Sequence, residues 1–427
     1  MAGYGMLRRV NTYRLLVIVG LLGLGAAAPT PSVTELNTLF GAPLWSDVPL
    51  WSETGDAVAR RLRCQPESTG TKQASYLVLR PPPILGAQPE TLRVSSRTNK
   101  TSAILIMFAN KGDSVGMRPF HQQFARAADY NAAMLKYEKD LAALQPRLTK
   151  DAATIEAALT RGLGAPERLT LTEGGAAPEV VKVWRWKEHA IVLAVAPRES
   201  VAVRIIPPEQ LRARTQTISD ADLKKEFLSR VQRRSNGDVV IGSIPMVSQG
   251  RKGYCVPATW ARYLQYAGIN VDEYALGDAG NTRAGSGTFG KAMAAAAAPI
   301  VARNKRQLVP LSGAFSLSVI SKHIDNGLPV MWTLRCVGPF REFGQPPNRM
   351  GDMTPEKWNI ALKLNRSNAH KLPRTNTEAH MCMIIGYNKT TKEIATSDSW
   401  GPGHEEKWYT LEEAQAVSLN EYYVISW

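Results

Sequence analysis

Four side chains in the C-terminal half are of the types that thiol-dependent acyl transfer requires. Gln249 and Cys255 stand six positions apart in the run Ile244-Pro-Met-Val-Ser-Gln-Gly-Arg-Lys-Gly-Tyr-Cys-Val-Pro-Ala-Thr-Trp, and His380 and Asp398 follow in later segments. A thiolate attacks a carbonyl carbon, and an imidazole beside it takes up and returns the proton. A carboxylate on the second ring nitrogen fixes the tautomer and supports the imidazolium. A side-chain amide held next to the nucleophile's own backbone N–H can stabilise the oxyanion that forms. Alone, each residue has a plainer reading: a lone cysteine usually packs as a small hydrophobe, and a loop glutamine is usually solvated. The order amide, thiol, imidazole, carboxylate carries the reading.

The local pattern supplies elements to hold them. A helix is expected over Val256–Ala267, stopped by Gly268. Pro257 falls in its opening turn, where a missing N–H costs nothing. The positive helix end at Cys255 favours a thiolate. His380 begins an apolar strand running to Tyr387, and period-two alternation puts Cys382 on its face and Met381 on the other. Asp398 ends a strand over Glu393–Ser397 and is the only acidic residue between Ile394 and Gly401. Trp400 follows and is placed to shield the histidine–aspartate bond. His323, His370 and His404 lie on a helix, in a polar insertion and in a Gly-Pro-Gly-His loop, settings less suited to a base.

With these residues assembled, the C-terminal region resembles the papain-like thiol peptidases. Gln249, Cys255, His380 and the run Asp398-Ser-Trp-Gly match that family in order and spacing. Asp398 stands where asparagine is common, and Lys252 and Val256 replace the cysteine and tryptophan of the lysosomal signature. Together with Ile-Pro-Met-Val-Ser-Gln, these make the chain more similar to the bacterial branch of bacteriocin-processing, double-glycine peptidases. The resemblance implies an α+β fold with the nucleophile helix packed on a twisted antiparallel sheet. It implies a Cys255–His380–Asp398 triad with Gln249 as oxyanion donor, acting on protein or peptide substrates without metal or cofactor. A peptidoglycan amidase or endopeptidase, and a non-catalytic binding protein on the same scaffold, are the alternatives.

The remaining chain sets the context. With 427 residues, it is long enough for two domains at roughly 100–200 residues each. Residues 1–27 read as an export signal: Arg8, Arg9 and Arg14 precede the apolar run Leu15–Leu24 and the small residues Gly25–Ala28. The run is shorter than the ~20 apolar residues of a spanning helix, so a secreted or periplasmic location is expected, with an uncleaved anchor as the alternative. Residues 28–235 are expected to form a separate α+β domain. There a helical stretch from Phe120 to Arg161 is expected to be split by Pro146, and a hairpin to span Val180–Trp186 and Ala190–Val195. A polar helix over Ser219–Arg234 leads to a break at Arg233–Asp238, and the peptidase domain is expected over 236–427. Residues 337–377 read as a surface insertion with a short helix over Pro355–Leu364, and Arg341, Arg349 and Arg366 hint at acidic substrates. The net charge of +15 is scattered rather than clustered. It suits contact with an anionic cell envelope better than nucleic-acid binding. Four cysteines are too few for a disulfide scaffold.

Overall fold

Two antiparallel sheets organise the computed structural model, which describes residues 30–70, 73–172, 178–211, 218–313, 315–335, 338–372 and 379–427. The export signal expected over 1–27 and Cys336 lie outside the described residues. In the first sheet, β1 (Gln65–Thr69), β2 (Gln73–Leu79), β3 (Thr91–Arg97) and β4 (Lys100–Asn110) run in chain order. They continue into β8 (Ser200–Ile206), β7 (His189–Ala196), β6 (Glu179–Trp186) and β5 (Glu167–Leu171). The hairpin expected over 180–195 is present, with Trp186 paired to His189 across Lys187 and Glu188. The second sheet has the order β11 (Gln307–Leu311), β16 (Ser418–Ser426), β12 (Val330–Arg335), β13 (Ala379–Asn388), β10 (Val239–Ile241), β9 (Val231–Arg233). β14 (Glu393–Ser397) pairs with β13, and β15 (Lys407–Thr410) with β14.

Each sheet has its own apolar core. Phe40, Trp45, Phe108, Trp184 and Ile191 are central to the first, and Trp260, Tyr263, Trp332, Ile384 and Trp408 to the second. Mixed helix and antiparallel sheet make the chain α+β. The two cores are nonetheless parts of one compact unit, Pro31–Trp427, rather than detached domains.

Several expectations need correction. Pro146 does not split its helix, which runs unbroken over Ala127–Leu163. Pro299 also sits inside a helix, Gly290–Arg303. Both prolines are exposed, while their neighbours Leu144 and Leu148, or Ala297 and Ile300, are buried on the core side. Packing on either side thus offsets the ~3 kcal/mol that an interior proline costs. The helix expected over Ser219–Arg234 is Asp220–Ser229, capped by Ser219, and the chain then turns into β9. The break expected at 233–238 is a turn inside the second sheet: Arg233 pairs with Val239. Leu223 and Phe227 already belong to the second core. The passage between the two sheets therefore lies between Ile206 and Ser219, not at 235/236. The insertion is no simple surface loop, since Arg349, Met350, Leu362 and Leu372 are buried. The helices without a counterpart in the sequence reading include Val33–Phe40, Lys111–Val115, Glu273–Ala279 and Leu411–Val417.

Among the described residues, no helix is long and apolar enough to cross a membrane.

Candidate active site

Cys255 is the first residue of the helix Cys255–Tyr266 and is partly exposed, while the next nine residues are buried. The unpaired N–H groups of that first turn surround the thiol with positive potential. Gly253 lets the chain pass close to a neighbouring loop: a Cβ there would lie 3.0 Å from the Gly287 amide nitrogen.

Polar residues of this helix recur at the i, i+4, i+7 positions Cys255, Thr259 and Arg262, on one face. Each of the latter two ties the nucleophile helix to the segments carrying the other candidate residues. Thr259 Oγ1 donates to the Met381 carbonyl at 3.0 Å, next to His380. Arg262 Nε donates to the Pro245 carbonyl at 2.8 Å, at the start of the Gln249 loop. Its Nη2 reaches Ser397 Oγ at 2.5 Å and its Nη1 Ser399 Oγ at 3.4 Å, on both sides of Asp398. Burial pulls the Arg262 guanidinium down to about 10, with nearby Asp398 opposing the shift.

His380 and Asp398 are both buried and in direct contact. His380 Nε2 lies 2.9 Å and 2.8 Å from the two carboxylate oxygens. Asp398 Oδ1 also accepts from the Ser399 N–H at 2.7 Å, which fixes the carboxylate. With Nε2 so engaged, the Cys255 thiol acts on the same ring by hydrogen bond and charge. Burial opposes charge on the imidazole. The Asp398 carboxylate outweighs it through charge and hydrogen bond, Cys255 adds to that, and His380 is held well above the ordinary histidine range. Trp400 stacks on the ring at 4.7 Å with 20° between planes. Arg341 covers the Trp400 ring at 4.1 Å, His404 meets that ring edge-on, and the His404 carbonyl accepts from the Asp398 N–H at 2.8 Å.

Gln249 is held by its backbone, whose N–H donates to the Ser399 carbonyl at 2.8 Å. Its Oε1 is buried without a partner among the described residues. The structure thus brings Cys255, His380 and Asp398 together and ties the Gln249 backbone to the residue after Asp398. Cys382 is buried in the second core and Lys252 is buried nearby.

Residues 241–426 match the family model described as "Peptidase_C39 like family". That segment is similar to this family of cysteine peptidases. A solved structure described as "Xylellain, a cysteine protease from Xylella fastidiosa" is similar at 12% identity, covering 47% of this chain and 88% of that one, with a TM-score of 0.28. No curated protein matches the chain.

Two of the three arginines that hinted at acidic substrates are spent in internal pairs within the matched segment. Arg349 is fully buried between Asp238 and Glu393, with its guanidinium 3.7 Å from the Trp408 ring. Arg366 bonds Asn359 and the Thr391 carbonyl and pairs with Glu412. Only Arg341 stays exposed beside the site. Sequence reasoning also passed over Thr259 and Arg262, although polar side chains at helical spacing from Cys255 on an otherwise apolar helix were a usable signal. Among the described residues, no group of three or more His, Cys, Asp or Glu side chains is arranged to hold a metal ion.

Proposed function

We propose that the protein is an exported thiol peptidase that hydrolyses peptide bonds with Cys255 as nucleophile. His380 and Cys255 act as an imidazolium–thiolate pair, held in register by Asp398. The thiolate attacks the carbonyl carbon of the scissile bond. The resulting oxyanion is held by the Cys255 N–H and the Gln249 side-chain amide. As the C–N bond breaks, His380 passes its proton to the leaving amine, and a thioester remains on Cys255. Neutral His380 then takes a proton from water, whose oxygen attacks the thioester and releases the acid.

The contact chain Cys255–His380–Asp398 carries this reading: its imidazole is bonded to both carboxylate oxygens and held well above the ordinary histidine range. Export rests on the basic and apolar pattern of residues 1–27. Cys255→Ala should abolish turnover of casein or a mixed peptide library while leaving circular dichroism and thermal midpoint unchanged. Equal turnover in the mutant would overturn the assignment. Amino-terminal sequencing of the protein recovered outside the cytoplasm should find residues 1–27 removed.

A further inference from the structure

The loop that carries Gln249 makes polar contact with the first sheet as well as with its own half of the molecule. The Met246 N–H donates to Ser68 Oγ at 3.1 Å, and the Ser248 N–H to Glu67 Oε1 at 2.8 Å. Both acceptors are on β1, almost two hundred residues earlier in the chain. Glu67 is itself fixed: Oε2 accepts from Arg93 Nε at 2.8 Å and from Ser75 Oγ at 3.0 Å. Arg93 then reaches across to Glu273 of the second half at 3.0 Å. Downstream of Gln249, Lys252 Nζ lies 3.0 Å and 3.1 Å from the two oxygens of Asp113, and Tyr274 Oη donates to Asp113 at 2.8 Å. Glu67, Lys252 and Glu273 are at most 3% exposed. Gly112 permits the approach, for a Cβ there would stand 2.6 Å from the Lys252 side chain.

We infer that Glu67 is a positioning residue for the oxyanion side of the site, and that the first sheet is a standing part of the catalytic unit rather than a segment removed before turnover. The inference rests on the reading of Gln249 as an oxyanion donor. Such a donor works only if held where negative charge develops, and a displacement near 1 Å costs about 10²-fold. β1 holds the loop on one side of Gln249 and Asp113 on the other, so residues of the first half join the Ser399 carbonyl in setting the amide. Removing that half would leave the Met246 and Ser248 N–H groups without their acceptors. It would also leave Lys252 and Glu273 as buried charges that have lost a partner, an arrangement that folding does not tolerate cheaply. A dispensable inhibitory segment would instead leave the site it uncovers intact.

The test uses the full-length protein with Glu67→Leu and Glu67→Gln. Leucine removes the acceptor for the Ser248 N–H, whereas glutamine keeps a carbonyl oxygen there. Glu67→Leu should lower kcat ~10-fold or more with KM within about twofold, and Glu67→Gln should recover most of that loss. The rate at which iodoacetamide alkylates Cys255 should stay at the wild-type value, since the thiol–imidazole pair is not touched. Amide hydrogen exchange at Ser248 and Gln249 should be at least ~10-fold faster in Glu67→Leu. An unchanged kcat, or a fall in alkylation parallel to kcat, would overturn the inference. Should the wild-type protein turn over no peptide at all, the peptidase reading fails, and exchange at Ser248 still decides whether Glu67 holds the loop. Should Glu67→Leu not fold, Ser68→Ala carries the same test at the Met246 contact, with an expected kcat loss of ~3-fold or more; no loss there overturns the inference.

Discussion

The two sheets are built by different rules. In the first, almost every neighbour is the next strand along the chain, and only the β4–β8 pairing joins distant segments. In the second, β13 pairs with β12, β10 and β14, so the strand that begins beside His380 is held by segments beginning at Val330, Val239 and Glu393. The candidate chemistry lies in the second sheet, where remote strands meet and can set side chains from four segments against one another. Buried charge marks the seam. In the second half Arg262 is bonded internally, as is Arg349 between Asp238 and Glu393, whereas Lys252 and Glu273 find their partners in the first half. In the first half Glu67, Arg93 and Asp113 meet charges or amides of the other half. A sheet of local hairpins thus serves as a backing whose polar investment is at the seam.

Mutations in each half can break or sharpen this contrast. The largest effect belongs to Asp398→Ala, for which kcat/KM should fall by about 10²–10⁴. Without that carboxylate, burial lowers the His380 pKa, so the alkaline limb of the pH–rate profile should move to lower pH; a limb that stays in place would show that Asp398 does not hold the imidazolium. The sign also applies to stability. Because the folded-state pKa is raised, the pair's contribution is full below the ordinary histidine value and is lost as pH rises through the raised one. Next comes Arg349→Met, which leaves two buried carboxylates and should cost about 3–5 kcal/mol in urea unfolding. Asp113→Ala tests the seam. It leaves Lys252 buried with only the Tyr274 hydroxyl, and should cost about 2–3 kcal/mol. If it costs no more than breaking the exposed Arg126–Asp129 pair, the seam is a surface contact and the contrast fails. The smallest effect is expected for Thr259→Val, about 1 kcal/mol of stability, together with a modest fall in kcat/KM from loosening Met381 beside His380.

Much of the site was legible because its parts are marked locally. A proline in a first turn, an apolar strand opening on His380 and one acid at a strand end place three residues without knowledge of the fold. Trp400 was read as a shield and lies stacked on His380. The seam was not legible, since Glu67 and Ser248 are 181 residues apart and nothing near either one marks the other. Arg349 and Arg366 were misread for a related reason: composition cannot distinguish a solvated arginine from one buried against distant carboxylates. The two interior prolines show tertiary packing overriding a local rule. The misplaced break at 233–238 shows that a charged, turn-rich run marks a hairpin as readily as a boundary.

The place of β16 in its sheet has a consequence for timing during synthesis. A nascent chain that has emerged as far as Asp398 already holds all four candidate residues. Yet β11 has no partner strand until Ser418–Ser426 arrives, and β12, the neighbour of the His380 strand, has one edge open. The sheet behind the thiol therefore closes only after every reactive group has been made. A cell producing this enzyme gains an interval in which the reactive residues exist and the assembled site does not.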